Sequence, residues 1–201
     1  SASAGVNVYH NTVNLTGTIS RASSADVSSA FYAHSVAALL NVKNNIFINK
    51  LNNTGGTAKA YAIYTDVGGS GYASLDNNNY FASGPQGVLS RIGATDYLTL
   101  TDWQNAIGKD GLARNIDPLF VSATDLHLQN NVANECLNQG GMAIPAVTMD
   151  IDMQNRSLSN PDIGADEFNP GSNLLINVTE TSGTPNDKNI CLGASATLTV
   201  S

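Results

Sequence analysis

The sequence predicts an all-β chain built as a repeat, a β-solenoid of short strands, and three observations carry that expectation. Val8-Tyr9-His10-Asn11-Thr12-Val13, Val42-Lys43-Asn44-Asn45-Ile46-Phe47 and Leu75-Asp76-Asn77-Asn78-Asn79-Tyr80 share one template: apolar, two mostly polar residues, Asn, any residue, apolar. Their first positions, residues 8, 42 and 75, lie 34 and 33 residues apart, and a fixed period of roughly 20–50 residues marks a repeat architecture. Ala30-Phe31-Tyr32-Ala33-His34-Ser35 aligns on Ala60-Tyr61-Ala62-Ile63-Tyr64-Thr65 at an offset of 30, so each repeat carries an aromatic-rich strand as well as an Asn-bearing one. Charged residues make up only 12% of the chain, about half the usual share. Gly, Asn, Ser and Thr replace the Lys, Glu and Leu of surface helices, a mix that suits strands joined by polar turns.

Taken in order, residues 1 to about 88 read as rungs. Neighbours on a strand alternate faces, which directs Val8, Val13, Phe31, Ala33, Val42, Phe47, Tyr61, Ile63, Leu75 and Tyr80 inward. Asn11, Asn45 and Asn78 then stack at a corner as a structural ladder, where Asn tolerates left-handed backbone angles and passes amide hydrogen bonds from rung to rung. Asn44 and Lys43 point outward in this register. Loops are expected over Thr16–Ser29, Asn52–Lys59 and Asp66–Ala73. Around Leu100 the character changes: Thr101-Asp102-Trp103-Gln104 fits a capping box with Thr101 as N-cap, and Gly108 stops the helix. Trp103 should cover the open end of the last rung, since natural proteins hide exposed strand edges and core. Residues 117–121 and 125–128 read as two more short strands, and 142–149 and 161–168 as a wrap around the end of the stack. Asn169–Asn173 is a linker by composition. Residues 174–201 alternate like strands of a second all-β unit, too short for an independent sandwich.

Composition excludes several functions. A net charge of −7 with nine scattered basic residues argues against nucleic acid and anionic membrane surfaces, which require Lys/Arg clusters. No run of about 18 apolar residues spans a membrane. No signal peptide opens the chain, which reads as a mature or excised piece of something longer. The two cysteines, Cys136 and Cys191, exclude a disulfide scaffold, and their unlike surroundings disfavour a bridge.

The segment Asp102-Trp103-Gln104, Gly108–Gly111, Asp117–Phe120, Asp125–Leu128, Asp150-Ile151-Asp152, Arg156 and Pro161-Asp162-Ile163-Gly164-Ala165-Asp166-Glu167-Phe168 resembles the C-terminal end of secreted right-handed parallel β-helix, pectin-lyase-like proteins of Bacteroidota-type bacteria. With the rungs, the resemblance covers about residues 1–168. The Pro161–Phe168 ending is its most specific part, and Met153 stands where these proteins usually carry Gly. Residues 183–200 look like the first strands of an immunoglobulin- or PKD-like module. The resemblance implies residues 1–168 as β-helix rungs plus a cap from about 98, a linker over 169–173 and a partial Ig-like module over 174–201. It also implies an extracellular or cell-surface location and a long modular parent chain, including ones exported by type IX secretion.

Function has to be argued from residues rather than from fold. The outward columns are Tyr9/Lys43/Asp76, Tyr32/Ala62 and His34/Tyr64. A uronate lyase needs clustered carboxylates with basic residues, and a glycoside hydrolase needs two carboxylates at a fixed separation; no column supplies either, so no catalytic residue is assigned. Tyr32, His34 and Tyr64 form a candidate sugar-stacking stripe, against the simpler reading that aromatics are good strand formers. His10, His34 and His127 otherwise read as surface or edge residues. The acidic cluster Asp150, Asp152, Asp162, Asp166 and Glu167 is the metal candidate, with Asp150 and Asp152 as the candidate ligands, in a stretch that begins like a calcium loop but has Asn155 and Pro161 where Gly and Glu belong. The simpler reading pairs Arg156 with a carboxylate of this cluster, so calcium is the sole cofactor left open. The expectation is a non-catalytic segment of a secreted or surface-attached modular protein, an adhesin or glycan-contact module whose partners are glycans, other surface components and domains of its own chain. The alternative is a polysaccharide lyase or hydrolase with its catalytic rungs upstream.

Overall fold

The structure, a computed structural model, describes residues 5–170; the segment 174–201, expected to be Ig-like, and Cys191 lie outside the described residues. Short apolar stretches interrupted by Gly, Asn and Ser give β1 (Asn7–Tyr9), β2 (Thr12–Leu15), β3 (Thr18–Ile19), β4 (Ser28–Ala33), β5 (Leu40–Lys43), β6 (Ile46–Asn49), β7 (Asn52–Asn53), β8 (Ala60–Thr65), β9 (Tyr72–Asp76), β10 (Asn79–Ala82), β11 (Gly87–Ile92) and β12 (Thr95–Tyr97). Among the described residues one α-helix, α1 (Leu100–Ile107), follows. Apart from the antiparallel pair β11–β12, each strand pairs in parallel with its counterpart one repeat later. The result is an all-β arrangement of parallel sheets in stacked order, β1-β5-β9, β2-β6-β10, β3-β7 and β4-β8-β11-β12. Successive repeats form three tiers.

Only two residues separate the first and second strand of each tier, and the first of them turns the chain. His10, Asn44 and Asn77 have φ of 53°, 57° and 54°, and Asp110 (φ 67°) holds the same place beyond β9. The left-handed residue is therefore the one before Asn11, Asn45 and Asn78, not those asparagines themselves. Relieved of the bend, each following Asn aims its amide along the stack. Asn45 Oδ1 accepts from the backbone and side-chain amides of Asn11, both at 2.9 Å. The Asn45 amides donate in turn to Asn78 Oδ1, at 3.0 and 2.9 Å, and Asn45 Nδ2 also reaches the carbonyls of Val8 and Lys43. Asn45 and Asn78 are fully buried. Asn44, expected to face outward, is equally buried, because the segment after residue 138 covers it.

The inner core is a second file. Val13, Phe47 and Tyr80 are in register on β2, β6 and β10, and the rings of Phe31, Phe47 and Tyr80 stack with centroids 5.1 and 6.1 Å apart. Trp103 closes the file, edge-on to Tyr80 at 6.1 Å and fully buried, as the need to cover an open end requires. Its indole N–H donates to Asp110 Oδ2 at 2.9 Å, and the Tyr80 hydroxyl donates to the same oxygen at 2.7 Å. Burial pushes the Asp110 carboxyl up to about 6 against the opposing pull of these bonds. The helix carrying Trp103 starts earlier than the sequence pattern suggested. Thr99, with extended backbone, is the N-cap in place of Thr101 and accepts from the Asp102 amide at 3.1 Å, and Gly108 (φ 67°) ends the helix. The working capping pattern is thus Thr99 with Asp102, while Gln104 donates to the Asp110 carbonyl.

The aromatic strands pair two residues away from the expected offset. Ser28 faces Ala60 and Tyr32 faces Tyr64, so Tyr32/Ala62 and His34/Tyr64 are not columns. A slip of two preserves the faces, because the side-chain period is two; hydrogen bonding across the whole strand, rather than similarity of six residues, sets the pairing. Tyr61 is fully buried but outside the inner core: its hydroxyl donates to Asp96 Oδ1 at 3.0 Å. The predicted loops at 16–29 and 52–59 hold the small β3–β7 sheet. In the third tier the Gln86 side chain takes a strand's place there, exchanging hydrogen bonds with the Asn53 backbone at 3.2 and 3.1 Å. Of the strands expected at 117–121 and 125–128, only an antiparallel bridge between Phe120 and Leu128 forms.

The wrap covers a flank rather than an end. Ile46 and Ile48, on the outer face of β6, are fully buried against Ile116, Leu128, Leu137 and Ile163. This makes β6 a strand buried on both faces. Gly164 (φ 104°) lies where a Cβ would meet Ile46 and Thr12 at 2.6 and 2.9 Å, so only Gly fits that crossing. Cys136 is disulfide-bonded, against the expectation drawn from its surroundings.

Replacing Asn45 by Leu strands several buried amides and carbonyls, each costing about 1–3 kcal/mol. Asn41, whose side chain bonds Asn7 and Ser74 at 2.9 Å on the outer face of β5, is the comparator, and Asn41→Ala should cost under about 1 kcal/mol. Thermal melting should place Asn45→Leu well below Asn41→Ala; equal losses would remove the buried file as the determinant.

Candidate functional site

Two surface regions gather polar and aromatic side chains. The first is the outer face of β4, β8 and β11. Period-two alternation turns Tyr32 and Tyr64 outward while Phe31 and Ile63 enter the core. Their rings lie 4.9 Å apart at 47°, and His34 meets Tyr32 edge-on at 6.1 Å. The sequence-predicted trio is therefore contiguous, with Tyr32 at its centre and 47% exposed. Sequence reasoning missed Arg91, which pairs with Tyr64 in register and holds its guanidinium 5.3 Å from the Tyr64 centroid and 5.7 Å from that of Tyr61. The shorter third tier hid it: Arg91 follows Tyr64 by 27 residues, not 30 to 34. Asp96 holds Arg91 and Lys59 beside the rings through ion pairs, and hydrogen bonding to Asp66 pushes the Tyr32 hydroxyl up to about 12. Val27, Ser29, Tyr32 and Tyr64 line a shallow, open depression of about 370 Å³. Offset rings with a cation above them offer apolar faces and fixed donors together. Among the described residues, the four that line the depression include no carboxylate and no imidazole.

The second region is the wrap. Arg156, buried to 5% exposure, donates to Glu167 Oε1 at 3.0 Å and to the carbonyls of Met149, Gly164 and Ala165, pinning the Pro161–Phe168 ending. Asp150 is also taken up locally: Oδ1 accepts from the amides of Asp152 and Gln154, and Oδ2 from that of Glu167. It shapes the turn at Met153 (φ 63°). Asp152 stands apart from it, with Oδ2 3.0 Å from His127 Nε2. His127, Asp152 and Asp166 bring one ligand atom each within 4.8 Å of one another, so Asp152 shares a potential metal site with these two residues rather than with Asp150. His127 was visible in the sequence as part of Asp125-Leu-His127-Leu128, but its distance of 25 residues from Asp152 concealed the meeting. The bond to Asp125 raises the His127 imidazole above its ordinary value, and burial raises the Asp166 carboxyl. Comparison with protein-family models, with curated proteins and with solved structures returned no match.

His10 joins the first tier to the wrap. Far from being a surface residue, it is 6% exposed. Asn44 Nδ2 lies 2.9 Å from its Nε2, and its Nδ1 lies 3.3 Å from the Gly164 carbonyl. A neutral ring protonated on Nδ1 satisfies both contacts. Burial, and then the Arg156 guanidinium, lower its pKa from 6.5 to about 4, while backbone contacts at Gly164 and Asp162 oppose them. A depressed folded value means stability present above pH 6.5 and lost as pH falls toward 4, by up to about 1.4 kcal/mol per pH unit. Asp110 and Asp162, raised to about 6 and about 7, have the opposite slope in part of that window, so the whole-protein curve blends these effects. The expected outcome is residue-specific: an NMR titration midpoint for His10 well below its ordinary 6.5, and a stability curve for His10→Gln that lacks the His10 decline. An unshifted His10 midpoint would contradict a buried, neutral ring.

Proposed function

We propose that the chain is part of a right-handed parallel β-helix of pectin-lyase-like type, in a secreted or cell-surface modular protein, and that it contacts glycans without cleaving them. The observation that carries the glycan reading is the exposed Tyr32–Tyr64 pair, flanked by His34 and Arg91 over an open depression. Tilted rings on neighbouring tiers offer flat apolar faces to the C–H surfaces of sugar rings, and Arg91, Lys59 and the tyrosine hydroxyls offer hydrogen bonds to their hydroxyl or carboxylate groups. Support for the architecture comes from the stacked parallel sheets and the Asn file, together with the Asp162–Glu167 ending clamped by Arg156. The partial Ig-like module, the extracellular location and export by type IX secretion belong to the same proposal. They rest on sequence resemblance, and partners would be glycans, surface components and neighbouring domains of the chain. No helix among the described residues is long and apolar enough to cross a membrane.

The test is glycan-array screening of the 201-residue chain with acidic and neutral oligosaccharides, followed by calorimetry on the hits. Tyr32→Ala and Tyr64→Ala should each weaken binding about tenfold, the equivalent of roughly 1.4 kcal/mol, with melting temperatures little changed. Absence of any glycan binding, or binding indifferent to both substitutions, would remove the reading. Release of unsaturated or shortened products from the same incubations would favour a lyase or hydrolase instead.

A further inference from the structure

We infer that His127, Asp152 and Asp166 form a binding site for a divalent transition-metal cation, zinc being the natural probe, that ties three segments of the wrap together. The three residues come from the bridge segment around Phe120–Leu128, the turn held by Asp150, and the Pro161–Phe168 ending. Their ligand atoms all lie within 4.8 Å of one another, a spread that one ion at ordinary ligand distances of about 2.0–2.2 Å draws in by small side-chain shifts.

The placement of His127, one ring nitrogen on Asp125 and the other beside Asp152 in the cluster, is the observation that points to a cation. Its Nδ1 sits 2.5 Å from Asp125 Oδ1, the carboxylate–histidine pairing that fixes a ligating imidazole and turns its other nitrogen to the metal. Nε2 is buried and pairs with Asp152 Oδ2 at 3.0 Å, on the side of the ring away from Asp125. Asp166, 6% exposed, has Oδ2 fixed by the Leu128 amide at 2.8 Å, so its carboxylate is oriented by backbone instead of by a basic side chain.

The donor set selects the class of ion. One imidazole and two carboxylates, with solvent completing the sphere, suit zinc and its first-row neighbours. Calcium takes six to eight oxygens and has no use for the nitrogen. This inference is independent of the glycan reading, since it involves neither Tyr32 nor Tyr64.

The test uses the 201-residue chain, stripped with chelator and titrated calorimetrically with zinc chloride and, separately, calcium chloride. Cobalt chloride adds visible absorption as a report on the coordination. The expected result is one zinc per chain, a rise in melting temperature, and cobalt bands that zinc abolishes. Asp152→Asn and His127→Gln should each weaken zinc binding at least tenfold, and Asp125→Asn by about 10–100-fold as a partner of the ligating imidazole. Asp152 is on the surface side of the cluster, so Asp152→Asn decides the matter if His127→Gln fails to fold. No stoichiometric zinc uptake, uptake unchanged in Asp152→Asn, or tighter binding of calcium than of zinc would each overturn the inference.

Discussion

A polar side chain buried between tiers has to be answered by something at the same place one repeat away, and the Asn45 amide meets that constraint in both directions. It accepts from Asn11 and donates to Asn78. Because an unanswered buried amide is costly, the file fixes the register of the tiers at their corner, and the pairing of β5 and β6 with their neighbours follows from it. The left-handed residues before each Asn contribute as well, since His10, Asn44 and Asn77 bend the backbone so that the following side chain can lie along the stack. Asp110 ends the series by accepting from Trp103 and Tyr80, so the polar file and the aromatic file finish on one carboxylate.

The β2-β6-β10 sheet stands between two apolar layers of different origin. Phe47 and Tyr80 face the stacked interior, whereas Ile46 and Ile48 face the wrap. The repeats therefore make only one of the two cores; the other requires a non-repetitive segment to travel back along the flank. Gly164 and His10 mark how far it travels, to the first tier. The buried Arg156 then holds the returning chain through one carboxylate and three carbonyls.

Most of the stacked order was legible because the Asn template recurs with almost constant spacing and its corner has only two residues. The inward set was legible too, with the exception of Tyr61, since alternation fixes faces once a strand is placed. The pairing of β4 with β8 was misread because alanine and tyrosine recur at several offsets in both strands, and local likeness does not encode hydrogen-bond register. Asn44 and His10 were misread for a different reason: their burial comes from residues more than 90 positions away, which strand periodicity cannot report. The aromatic trio was visible as residue types, but not its contiguity or the presence of Arg91. In the wrap, the sequence exposed the carboxylates, Asp166 among them, and hid which ones backbone amides had already claimed, so Asp150 stood out and His127 did not.

The corner column His10, Asn44, Asn77, Asp110 has a consequence for how such a chain can change length. Each member is answered mainly by the tier next to it or by the wrap lying over it, so energetic coupling is largely between nearest neighbours. A duplicated stretch the size of one tier would bring its own corner, its own Asn and its own aromatic, and would leave the two ends of the column with the partners they already have. Growth or loss of whole tiers is then a modular edit, whereas the wrap, matched to the present span between His10 and Asp110, sets the length at which its contacts with the first tier can be made.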